Sequence, residues 1–144
     1  MALPNHNRRI LLAAVPQGMP QEQDFLLTEE GIPTCPDGGV LLKTLWISVD
    51  PYLRGRISGV RTYIDPIPTG SVMESGAVGE VVESRCAELP PGRVVAGHWG
   101  WQEYAALGGA SVQPLDPDET PVSTALGVLG MPGLTAYFGL TELC

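Results

Sequence analysis

The chain has 144 residues, of which 44% are apolar and 17% charged. That is the length of one ordinary domain, with enough apolar matter for a core and too little charge for a disordered chain. Eight basic against sixteen acidic residues give a net charge of −8, which excludes nucleic acid as the main ligand, because phosphate binding needs clustered positive charge. No apolar run approaches the ~20 residues that span a bilayer, and the stretch from Met1 to Arg9 lacks the basic-then-apolar layout of a signal segment. A cytoplasmic protein without membrane or nucleic-acid partners is expected.

Eighteen glycines and fourteen prolines are spread along the chain. Punctuation of that density suits many short strands joined by turns rather than a helical bundle. In chain order the predicted strands are Arg9–Ala14, Phe25–Glu30, Val40–Val49, Ser71–Ser84, Arg93–Ala96, Gln102–Ala106 and Ser111–Gln113. Val40–Val49 carries apolar residues on both alternating faces, so it reads as a strand buried on two sides. Gly76 and Gly79 interrupt the fourth strand, and glycines there mark a bulge or a close backbone approach. The last third changes character. A loop from Asp116 to Pro121 leads into a short helical piece, Val122–Leu129, with Thr120 and Pro121 as cap and first-turn residues. A second helix starts near Pro132, with Leu134, Tyr137, Phe138 and Thr141 on one side at helical spacing.

Chemistry-bearing residues are sparse. Cys35, Cys86 and Cys144 are odd in number and widely spaced, with no CxxC and no histidine pair nearby, so they read as reduced thiols rather than disulfides or zinc ligands. His6 lies near the terminus and reads as solvated; His98 sits in the aromatic run from Gly97 to Tyr104. No nucleophile elbow is present, and neither type of glycine-rich phosphate loop. Gly76-Ala-Val-Gly79 lies inside a strand pattern, not at a strand-to-helix turn. No catalytic constellation can be assembled from these residues.

Three blocks carry a resemblance: Ser48-Val-Asp-Pro-Tyr-Leu-Arg-Gly-Arg56; Gly70-Ser-Val-Met-Glu-Ser-Gly-Ala-Val-Gly-Glu-Val-Val-Glu-Ser84 with Gly100-Trp-Gln-Glu-Tyr-Ala105; and Gly130-Met-Pro-Gly-Leu-Thr-Ala-Tyr-Phe-Gly-Leu140. In this order and spacing they resemble the N-terminal half of the zinc-independent medium-chain dehydrogenase/reductases, on the branch of prostaglandin reductases (leukotriene B4 dehydrogenases) and plant alkenal double-bond reductases. The resemblance runs from about Arg8 to Cys144. It implies a mainly β fold: a GroES-like, partly open β barrel over residues 1–120, with connecting helices over 121–144 that lead toward a Rossmann domain absent from this sequence. It also implies NADPH as cofactor, its site mostly in that second domain, and an enone or enal as the small-molecule substrate. A homodimer of the full-length protein is in keeping with the family.

By family position, Tyr52, His98 and Trp99 are expected to line the substrate cleft, and Met131 and Thr135 to lie beside the nicotinamide. Trp101 is expected in the core, and Asp50 and Arg54 are expected to organise the turn around Tyr52. Zinc-dependent relatives carry a cysteine near Ser48 and a Gly-His-Glu where this chain reads Gly70-Ser-Val-Met-Glu74, so no metal is expected. Arg93 departs from the family's Gly-Asp, which places the turn before the Arg93–Ala96 strand in doubt. No catalytic residue is assigned, since the main enolate donor is expected in the second domain. Two other readings stay open: a stand-alone GroES-like binding or regulatory module, and a quinone reductase of the same superfamily.

Overall fold

A computed structural model describes residues 5–143. Strand β1 (Asn7–Leu12) pairs antiparallel with β2 (Phe25–Glu30), Asn7 standing opposite Glu30 and Leu12 opposite Phe25. Strands β3 (Gly39–Ile47), β4 (Gly76–Ser84), β5 (Val94–His98), β6 (Tyr104–Gly108) and β7 (Val112–Pro114) form one antiparallel sheet in the order β6-β3-β4-β5-β7. The two edge strands of that sheet are consecutive in the chain, joined only by the turn Gly109–Ser111. Four residue steps reach at most ~14 Å, whereas five flat strands would separate their outer members by ~19 Å. The sheet therefore has to curl. It forms a half barrel, with isolated bridges Arg9–Gln102 and Leu11–Val72 attaching the β1–β2 hairpin to it.

The interior glycines have the role their position suggested. The β3–β4 register shifts between Leu41 and Leu42 and again between Thr44 and Trp46, which is opposite Gly79 and Val78. A Cβ on Gly79 would sit 2.8 Å from the Lys43 carbonyl oxygen and 3.0 Å from the Trp99 ring. The bulge adds twist to β3 where the barrel wall bends.

The main core cluster is Val40, Leu42, Ala77, Val81, Leu89, Val95, Trp99 and Ala105. A second, of Leu12, Ile57, Ile67 and Met73 with Phe25 and Trp101 packed on it, fills the space under the β1–β2 hairpin. One buried polar side chain ties the two sheets together. Asn7, 2% exposed, donates from Nδ2 to the Tyr104 carbonyl at 2.8 Å and accepts the Tyr104 N–H on Oδ1 at 2.9 Å. Its carboxamide replaces a ladder step that no backbone supplies. Nearby, Arg8 donates through Nε to Glu103 Oε1 at 2.9 Å and through its backbone N–H to Oε2 at 3.2 Å.

Those bonds from Arg8 hold the Glu103 carboxyl below its ordinary range. A depressed carboxyl stabilises the fold above its unfolded pKa and loses that contribution as pH falls through the folded value. Glu103→Gln is thus expected to lower the melting temperature slightly at pH 7, as befits an exposed pair. The deficit should close below the ordinary carboxylate range near pH ~4.3. Thermal melts of both forms from pH 3 to 7 check this; a deficit that persists at pH 3 would show that the carboxylate charge is not its source.

Four expectations need correction. The fourth strand begins at Gly76, not Ser71, because residues 70–73 bond to β1 instead: Gly70 N–H donates to the Leu12 carbonyl and Met73 N–H to the Ile10 carbonyl, both within 3.0 Å. The third strand is buried on two sides only through Leu42; Leu45 and Trp46 are 42% and 53% exposed, since its ladder to β6 stops at Lys43. The helical piece is one 3-10 turn, Val122–Leu126, capped by Pro121 rather than Thr120 and broken at Gly127. Arg54 braces a different loop, donating to the Gly18 carbonyl at 2.8 Å, while Asp50 shapes the turn through its backbone carbonyl, which accepts from Leu53 N–H. The turn before β5 is closed despite Arg93, with the Arg93 N–H donating to the Pro90 carbonyl and Gly92 at a φ of 87°. Helix α2 (Met131–Glu142) starts where expected, with Pro132 in its first turn. Cys144 lies outside the described residues.

Candidate functional site

The Asp50–Pro51 step starts a tight turn that feeds the single-turn helix α1 (Leu53–Arg56). Leu53 and Ile57 are buried and anchor that turn, while Tyr52 at its cap stays half-buried. Arg56, 9% exposed, is fixed from the other side by an ion pair with Glu74. This pair was not singled out by sequence reasoning; an Arg and a Glu eighteen residues apart give no signal before the fold is known. Strand β5 ends at His98 on the facing wall, and the start of α2 closes a third side.

The three elements enclose a cleft of about 460 Å³ whose lining includes Ser48, Asp50, Tyr52, His98, Met131 and Pro132. The Tyr52 hydroxyl lies 3.3 Å from His98 Nε2. Burial pushes the Tyr52 phenol above its ordinary value of 10, and the nearby Asp50 carboxylate adds to this. The hydroxyl thus keeps its proton across the neutral range and is available as a hydrogen-bond donor. The backbone at Gly76 is closely covered: a Cβ there would meet Leu126 and Ser48 at 3.3 Å. Ser111 and Gln113 also face the cleft. Sequence reasoning missed them, because the pairing of β7 with β5, which skips β6 in chain order, is not visible before the strand order is known.

Of the five expected site residues, Tyr52, His98 and Met131 come together in this cleft. Thr135 does not line it; one turn along α2, its hydroxyl donates to the Met131 carbonyl at 2.7 Å. Trp99 is placed in the main core cluster at 7% exposure, outside the cleft lining, with Nε1 donating to Thr44 Oγ1 at 2.9 Å. Strand alternation is the reason: with His98 facing out, its neighbour turns inward. Trp101 packs on the second core cluster, its ring centroid 6.0 Å from that of Phe25.

Residues 8–115 match the family described as the N-terminal domain of oxidoreductase. The chain belongs to that family. Among relatives of this oxidoreductase N-terminal domain, the NADPH-dependent curcumin reductase of Escherichia coli (strain K12) is 43% identical over 137 residues, covering 95% of this chain and 40% of that protein. Prostaglandin reductase 1 of Oryctolagus cuniculus is 40% identical over 130 residues, covering 88% of this chain and 35% of that protein. The crystal structure of CurA in complex with NADPH from Vibrio vulnificus aligns with a TM-score of 0.88 at 42% identity, over 94% of this chain and 40% of that one. This oxidoreductase domain thus spans about 40% of the length of the relatives it matches. Tyr52 and His98 lie within the matched residues 8–115.

Proposed function

We propose that this chain is the substrate-side domain of an NADPH-dependent reductase that saturates the C=C bond of α,β-unsaturated ketones and aldehydes. The observation that carries the reading is the cleft itself. It is an open groove walled on one side by Tyr52 and His98 and on the other by the start of α2, in a chain 42% identical to a reductase crystallised with NADPH. In the reaction, hydride from NADPH adds to the β-carbon, a proton adds to the α-carbon, and NADP+ leaves. Charge moves meanwhile to the carbonyl oxygen, so donors aimed at that oxygen lower the barrier.

This chain's own contribution is to bind and orient. The Tyr52 hydroxyl donates either to His98 Nε2 or to a substrate oxygen. Met131 and Pro132 offer an apolar face suited to a nicotinamide ring. No Lys or Arg lines the cleft, so the phosphate-bearing end of the cofactor would be held by other parts of the protein. Residues 1–120 form the substrate-side unit in this reading and 121–144 lead into the cofactor domain. The reading also makes the enzyme zinc-independent, with Ser48 where zinc-dependent relatives carry cysteine. A cytoplasmic, homodimeric full-length enzyme without membrane or nucleic-acid partners completes the reading; no described helix is long and apolar enough to cross a membrane.

The test is the longer protein carrying this chain, assayed for NADPH oxidation with enones, enals and quinones. Enone or enal turnover is expected, with Tyr52→Phe lowering kcat/KM about tenfold, the worth of one good hydrogen bond. Because the Tyr52 phenol is held above 10, that penalty should stay constant from pH 6 to 9. Turnover of quinones alone would move the assignment to that class, and no turnover of any would sink the reductase reading.

A further inference from the structure

Strand β5 ends on His98, which stands opposite Gly76 of β4. Its imidazole is exposed to solvent, while Nε2 lies 3.3 Å from the Tyr52 hydroxyl. Tyr52 is half-buried at the cap of α1. Its turn is fixed from two sides, by buried Leu53 and Ile57 and by the ion pair of Arg56 with Glu74. The pair therefore links two environments: the imidazole reaches water, and the phenol stands on the cleft wall.

The charges around the pair are few. Asp50 is the only charged side chain in the cleft lining among the described residues; Ser48, Ser111, Gln113, Leu126 and Met131 on the facing elements are neutral. Asp50, Glu74 and Tyr63 favour the protonated phenol, and Arg56 opposes them. No fixed cation in the lining competes with an imidazolium at Nε2. A phenol held in its protonated form gives its proton only to a strong base and takes one back readily, and His98 is the group within reach to return it. Histidine suits that task, because its charge changes near neutral pH and it can both give and recover a proton there.

We propose that His98 feeds a proton relay, passing a solvent proton through the Tyr52 hydroxyl to the oxygen of the enolate; this rests on the reductase reading above. Once hydride has added to the β-carbon, the carbonyl oxygen holds the displaced electron pair. The Tyr52 O–H bond breaks as an O–H bond forms at that oxygen. The phenolate takes the Nε2 proton of the His98 imidazolium, and neutral His98 recovers a proton from water. The enol then loses its O–H proton to water and gains one at the α-carbon. The sum is one proton taken from solvent, with no oxidant or reductant beyond NADPH. His98 is thus a positioning residue that acts through Tyr52.

The experiment assays enone reduction by the longer protein carrying this chain, as parent, His98→Ala and His98→Gln. His98 is exposed, so neither change removes core packing. Both variants are expected to lower kcat by at least ~10-fold, short of the full worth of a positioned acid because water can enter in its place. Imidazole added to the buffer should restore most of the His98→Ala loss and none of the His98→Gln loss, where the amide fills the space. Glutamine keeps a hydrogen-bonding group beside Tyr52 but carries no transferable proton, so a His98→Gln enzyme as fast as the parent overturns the relay. Failure of imidazole to rescue His98→Ala overturns it as well. A second readout needs no turnover: in the 144-residue chain, nitrogen NMR should show Tyr52→Phe moving the His98 Nε2 resonance and leaving those of His6 in place. An unmoved His98 signal also sinks the relay. A parent enzyme without enone turnover sinks the reductase reading and the relay with it, whereas each of the other failures, with the parent active, sinks the relay alone.

Discussion

Trp99→Ala is expected to cost about 3–5 kcal/mol of folding stability, the range for truncating a buried aromatic. Domains of this kind hold about 5–15 kcal/mol in all, so the variant should melt many degrees lower. The indole packs between β3, β4 and β5: its ring would be 3.0 Å from a Cβ on Gly79 and 3.1 Å from one on Gly97, and its N–H holds Thr44 Oγ1. Removing it leaves a cavity against two glycines that have no side chain to fill it, and frees a hydroxyl partner. Trp99→Phe should recover part of the loss by restoring ring volume without the hydrogen bond. Urea unfolding of the three forms checks the prediction. A Trp99→Ala variant as stable as the parent would return Trp99 to the cleft wall.

Asn7→Ala is expected to cost about 2–4 kcal/mol. Its side chain serves both backbone groups of Tyr104, and Tyr104 is itself buried at 5% exposure. Without the carboxamide, an N–H and a carbonyl are left buried and unpaired, at about 1–3 kcal/mol each before relaxation. The loss should be local at first: the Tyr104 amide should exchange far faster in the variant, while the β4–β5 ladder keeps its protection. Unchanged exchange at Tyr104 would show that water or backbone movement replaces the side chain, and that Asn7 is not what fastens the hairpin to β6.

How much of this was legible beforehand differs by element. All seven strands were placed within a few residues, because alternating apolar residues between Gly and Pro turns are a local signal. Gly76 and Gly79 announced a close approach for the same reason. The ends of strands were misjudged where pairing decided them. Ser71–Met73 has strand-like residues but is claimed by β1, and Trp46 and Ile47 are apolar yet exposed because β6 leaves them at Lys43. For the site, Tyr52, His98 and Met131 were reached through the resemblance of their sequence blocks. Trp99 was not settled that way, since neighbours on a strand face opposite sides and register alone decides which.

Composition and the three sequence blocks determined by themselves that this is a mainly β oxidoreductase domain. Those properties are carried by residue identity and local spacing, which do not depend on what the chain later touches. Only the tertiary structure decided that β7 meets β5 at the cleft, that Asn7 completes the ladder of Tyr104, and that β3 ends on an open edge. Each of these depends on which strands pair and where that pairing stops, between residues distant in sequence. The curl of the sheet is imposed by a three-residue turn joining its two outer strands, a constraint that exists only once the strand order is known.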